Sequence, residues 1–246
     1  MNKERKIMNT QFFEFKNNNK NLINNMNKIQ TPTLNFIEYY IQGLVEQNQK
    51  NITEVKKTAS ILLNGNCLKK HDWLLVKIKN QIERYGLKMS VERVLSNIVN
   101  DDYFASMYAK DASKQNMSEK LQKKYLDIKN ITIEKLNAAG KDAIRLMGGK
   151  LITGNDRGGK ATKSMDFKGE NGEFIFAKVT SGQGGAQDNQ YRDVRDFLSE
   201  ANEYDRKYGD KKFVALVDGD YYTDKKLNTL NGFETQNIRI TNSDEF

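Results

Sequence analysis

The chain of 246 residues holds one cysteine, one histidine and one proline, and these scarcities close off whole classes of chemistry. The lone Cys67 excludes a disulfide framework and a cysteine-held zinc ion. The lone His71 excludes a histidine-rich metal site, and Ser-His-Asp or Cys-His catalysis would have to use this one imidazole. No apolar run approaches the roughly 20 residues that span a bilayer. No apolar segment follows the charged start Met1-Asn2-Lys3-Glu4-Arg5-Lys6, so no secretory signal is visible. The expectation is a soluble, cytoplasmic protein. At 37% hydrophobic residues the chain is polar, yet long enough for a sizeable core.

Charge is present in excess and unevenly placed. Residues 1–150 carry 26 Lys+Arg against 15 Asp+Glu, whereas residues 151–246 carry 14 against 17. A basic half joined to a slightly acidic half suits a protein that meets a polyanion with one part and keeps carboxylates for chemistry in the other. Abundant Asn and Lys make part of this balance a matter of composition.

The first half reads as helical. Residues 1–30 are Asn- and Lys-rich and are expected to be a weakly ordered arm or one short helix. Thr31-Pro32-Thr33 begins a helix carrying Leu34, Ile37, Ile41 and Leu44 at helical spacing. Asn51 with Glu54 resembles a capping box that opens a further helix through Val55 and Ile61-Leu62-Leu63. Trp73 to Ile82 gives another helix, ending near Gly86, and Ser90 opens a short one through Val94, Leu95 and Ile98. Residues 101–129 are charged and helical.

Beyond residue 130 the pattern changes. Ile131–Met147 is expected to be a helix closed by Gly148-Gly149. Short strand-like runs follow at Lys150–Thr153, Lys163–Phe167 and Glu173–Thr180, the last two joined by Asn171-Gly172, a strong hairpin signal. A polar helix is expected from Gln187 to Lys207, then a buried strand at Phe213–Val217 and a small one at Ile238–Ile240. The expected order from residue 131 is α-β-β-β-α-β. No internal repeat is visible.

Two glycine-containing segments invite a phosphate reading. Gly154-Asn-Asp-Arg-Gly158-Gly159-Lys160 almost spells a P-loop, but Ala161 replaces the required Ser/Thr and the next element reads as a strand, so nucleotide binding is rejected. A basic connection able to touch a DNA backbone remains. Gly182-Gln183-Gly184-Gly185 would let backbone approach a phosphate closely, or simply form a tight turn. Asp218-Gly219-Asp220-Tyr221-Tyr222 reads as a strand end with surface tyrosines. His71 and Trp73 read as packing or surface residues.

The stronger constellation is Ser164-Met165-Asp166, the Asn171-Gly172 hairpin, Phe174-Ile-Phe-Ala-Lys178 and Gly184-Gly-Ala-Gln187-Asp188-Asn-Gln190. Over residues 131–220 this resembles the PD-(D/E)xK nuclease superfamily, and within it the type II restriction endonucleases. Asp166 stands at the first motif carboxylate, after Met165 rather than Pro. Lys178 stands at the motif lysine, twelve positions on. The acid expected two residues before that lysine is absent, because Phe176 is there. The resemblance offers Asp188, on the following helix, as a displaced second acid, and Glu173 as the less favoured choice. Glu134, on the expected preceding helix, is an outer carboxylate by the same resemblance. Against it, Asp166 and Asp188 also read as an ordinary strand-end acid and an ordinary helix-start acid. A Lys within Phe-Ile-Phe-Ala-Lys-Val is costlier to explain without a purpose.

The resemblance implies an α/β fold with a restriction-endonuclease-like core, a mixed sheet flanked by helices. Residues 1–130 would form a basic, mostly helical DNA clamp and residues 131–246 the nuclease core. It implies Mg²⁺-dependent, sequence-specific cleavage of double-stranded DNA. Asp166 and Asp188 (or Glu173) would hold metal, Lys178 would orient the attacking water, and Gln190 would assist catalysis. Lys160, Lys163, Ser164, Ser181, Gln183 and Gln187 would touch DNA. A homodimer and a cognate DNA methyltransferase encoded nearby follow from the same resemblance. A non-catalytic DNA-binding protein on a degenerate core and a structure-specific repair nuclease are the competing expectations.

Overall fold

Every long apolar run finds a partner in the computed structural model, which describes residues 34–65, 69–154, 161–182 and 184–246. Expectations for residues 1–33 and for the stretch containing Lys160 lie outside the described residues.

Helix α1 (Phe36–Leu63) starts at Asn35, whose side chain accepts the N–H of Glu38 while the Glu38 carboxylate accepts the N–H of Asn35. This reciprocal pair satisfies two otherwise orphaned donors. The expected second cap at Asn51 is a correction: α1 runs straight through it. Asn51 is buried in mid-helix, where its amide donates to the Lys110 carbonyl (2.6 Å) and to Gln115 Oε1 (3.2 Å). Its polarity serves a tie to a distant loop and not a helix start.

Helices α2 (Asp72–Tyr85) and α3 (Val91–Asn100) match expectation. Gly86 closes the first in the left-handed region, at φ 58°, and Ser90 caps the second by accepting the N–H of Arg93. With α4 (Asp102–Ser106) they bury Leu74, Ile78, Val94, Leu95, Ile98 and Ala105 against Val55 and Ala59 of α1. Helix α5 (Met117–Ile128) packs Leu121 and Tyr125 on Phe36 and Tyr40.

Ile131–Met147 is not a helix, which corrects the expected order. Asn130 takes a left-handed turn at φ 61° and ends the helical path. The β-branched run Ile131-Thr132-Ile133 then extends, and β1 (Ile133–Lys135) pairs antiparallel with β4 (Phe167–Gly169). Strands β2 (Ile144–Leu146) and β3 (Leu151–Thr153) make a separate hairpin, turned at Gly148 and Gly149. Strand β5 (Phe174–Val179) pairs antiparallel with β4 through the Asn171-Gly172 turn. Helix α6 (Gly185–Lys207) leads to β6 (Phe213–Asp218), parallel to β5. Helix α7 (Asp224–Asn231) leads to β7 (Ile238–Thr241), parallel to β6. The five-stranded sheet has the order β1-β4-β5-β6-β7.

Strand alternation divides the core. Ile175, Ala177, Val214 and Leu216 meet Leu126 of α5 on one face. Phe176, Phe213, Ala215 and Val217 meet Val194, Phe197, Leu198 and Ala201 of α6 on the other. Both faces of β6 are therefore covered, which is why it reads as an unbroken apolar run. The fold is mixed α/β, with seven α-helices among the described residues. No helix among them is long and apolar enough to cross a membrane.

Candidate active site

Asp166 immediately precedes β4. Its carbonyl accepts from Leu136 beyond β1, and its N–H donates to Ile175 on β5, so its backbone is pinned between two strands. Its side chain is only 6% exposed, and Oδ2 accepts the N–H of Ala177 at 2.9 Å. The residue after that donor is Lys178, whose charge is the strongest attraction acting on the Asp166 carboxylate. Burial nonetheless dominates and pushes the Asp166 carboxyl up to about 6. The hairpin thus brings the expected Asp166 and Lys178 together.

Two further charges meet there. Lys135, the last residue of β1, ion-pairs with Glu119 of α5, and its Nζ lies 3.7 Å from Asp166 Oδ1. The same ammonium sits 4.7 Å from the centroid of the Phe167 ring. Glu119 also pushes the Asp166 carboxyl upward. Sequence reasoning missed both residues. By the resemblance, the carboxylate on the helix before the first strand is Glu134. Glu134 lies on β1, exposed and opposite Lys168. With the leading helix at 117–128, the acid on it near the site is Glu119.

The place of the absent acid is filled by core. Phe176 is fully buried and stacks on Phe197 with centroids 4.9 Å apart, and Lys178 Nζ lies 4.5 Å from the Phe176 ring centroid. Glu173, the less favoured acid, sits in the hairpin turn, accepting from the Asn171 N–H and side-chain amide. Five residue steps, roughly 16 Å, lie between it and Lys178 of β5. Asp188 is exposed in the first turn of α6 and accepts a hydrogen bond from Tyr221. Tyr221 and Tyr222 are buried and not surface residues.

Three of the polar residues expected to touch substrate or assist catalysis, Gln190, Gln187 and Ser164, are engaged in hydrogen bonds within the protein. Gln190 Oε1 accepts from Thr180 Oγ1 at 2.7 Å, and Gln187 donates to the Ser181 carbonyl at 3.1 Å, so α6 holds the segment after Lys178. Ser164 donates to the Ala138 carbonyl. Lys163 and Ser181 are exposed, and Gln183, like Lys160, lies outside the described residues. Asp218 is buried at the end of β6, where Ser243 and Gln122 supply three donors to it. Lys56 and Lys123 pair with Asp102 and Asp127.

No three acidic, His or Cys side chains among the described residues form a metal-holding group. Two carboxylates, Glu119 and Asp166, do approach one cationic atom. That donor set fits a hard divalent ion of the Mg²⁺ kind, which is commonly held by one or two carboxylates with substrate phosphate and water completing its shell. Comparison with protein-family models, curated proteins and solved structures finds no match to this chain.

Proposed function

We propose that the protein is a Mg²⁺-dependent nuclease that hydrolyses phosphodiester bonds of double-stranded DNA, in the manner of a type II restriction endonuclease. The observation that carries this reading is the meeting of Asp166, Glu119 and Lys178 at one end of a hairpin. The order α5-β1-β4-β5-α6-β6 supports it, being the α-β-β-β-α-β order of the restriction-endonuclease-like core with the β2–β3 hairpin inserted.

In this mechanism Asp166 and Glu119 hold the metal, so Glu119 takes the part that Phe176 cannot. A bound divalent ion supplies positive charge to the phosphate in the transition state. Lys178, steered by Asp166 and the Phe176 ring, orients the attacking water. The Gln190–Thr180 bond fixes the chain just beyond Lys178. The net charge of +8 favours a polyanionic substrate. Two copies would serve a symmetric site, and a host methyltransferase would protect its own DNA.

Incubation with plasmid or phage DNA and Mg²⁺ tests the reading. Discrete, metal-dependent fragments are expected. Lys178→Ala should slow cleavage by about 10²–10⁴-fold while DNA still binds in a gel-shift assay. Asp166→Ala should abolish cleavage and likewise spare binding. Binding without any cutting, unchanged in Asp166→Ala, would instead identify a DNA-binding protein on a degenerate core. The buried Phe176 and the Tyr221-bound Asp188 are what favour that second reading. End-dependent smearing would mark a repair nuclease.

A further inference from the structure

Lys135 occupies the place where a cation belongs. It closes β1, lies over the Phe167 ring, ion-pairs with Glu119 and stands 3.7 Å from Asp166. Its side chain is 39% exposed, so solvent and small ions reach it. Nothing in the nuclease reading requires a lysine here, since Lys178 already serves the water. Two carboxylates facing one another repel unless a positive charge lies between them. In this protein the chain itself provides that charge.

We propose that Lys135 is a resident counter-ion, which a divalent metal must displace to enter between Glu119 and Asp166. The proposal deepens the nuclease reading and rests on it. The ammonium is tethered to the strand that forms the site, so its local concentration is high and never diluted. It therefore competes with every free cation on unequal terms. The metal-free pair of carboxylates is thereby neutralised from within, and the ion requirement of the protein is set partly by one lysine. An incoming DNA backbone offers phosphates to the released ammonium, so substrate and metal should load together.

The test measures Mn²⁺ binding to the full chain without DNA, by the electron paramagnetic resonance signal of the free ion at neutral pH. Lys135→Met keeps the apolar stem over Phe167 and removes the charge. It should bind Mn²⁺ at least about tenfold more tightly than the natural chain, and Mn²⁺ should raise its thermal midpoint more. Lys135→Gln, a second uncharged variant, should behave alike, and Lys135→Arg should stay weak. Adding Asp166→Asn to Lys135→Met should remove the gain. If both uncharged variants bind no better than the natural chain while Asp166→Asn abolishes binding, the metal site stands and the counter-ion role falls. If no variant binds Mn²⁺ at all, both the counter-ion role and the metal-dependent reading fall.

Discussion

Asp166 carries opposite consequences for stability and for chemistry. Its carboxyl is pushed from 3.8 to about 6, chiefly by burial. The unfolded chain therefore releases this proton near pH 4 and the folded chain near pH 6. Folded protein binds the extra proton between those limits, so stability falls as pH rises through them. Above that range the full cost of the buried charge is present. Asp166→Asn removes it and can still accept the Ala177 N–H. Metal-free unfolding in EDTA should show this variant more stable than the natural chain at pH 7.5. The two should converge near pH 4, and the variant should cleave nothing. A site that costs the fold something is expected where function is placed. Asp166 and Lys178 were legible because they lie on one hairpin, where local register sets their distance. Glu119 and Lys135 were not, because they meet only when α5 crosses the start of the sheet.

The same distinction holds between elements. Strands β5 and β6 and the Asn171-Gly172 turn were readable, since apolar runs and turn residues are local signals. Helix α7 was not, because only Leu227 and Leu230 mark its inner side in an otherwise polar stretch. The Ile131–Met147 segment misled because Ile133 and Leu136 also fit helical spacing, while Ile131-Thr132-Ile133 obeys the two-residue period of a strand. The contact between the ends of β5 and β6 is another element-level constraint. Gly219 sits at φ 111°, and a Cβ there would come within 2.1 Å of the Thr180 carbonyl oxygen. That oxygen belongs to backbone and cannot swing away. Gly219→Ala should cost more than about 2 kcal/mol. A drop of at least about 4 °C in the thermal midpoint is expected. Cleavage should weaken too, because Thr180 is the near anchor of Lys178.

Across the whole molecule, the last residues fasten the first described helix. Asp244 Oδ1 accepts the N–H of Phe36 at 2.9 Å and the hydroxyl of Tyr125 at 2.5 Å. Lys129 donates to the carbonyls of Ser243 and Asp244, and Ser243 satisfies the buried Asp218. Asp244→Ala should lower stability by roughly 1–2 kcal/mol in urea unfolding. Tyr125→Phe on top of it should add less than it costs alone, because the two share one bond. The clasp joins positions 208 apart in the chain. A nascent chain therefore cannot make this tie to α1 until residue 244 has left the ribosome. Ribosome-stalled chains ending before residue 243 should be cut by protease near Phe36, and chains extended past residue 246 should resist.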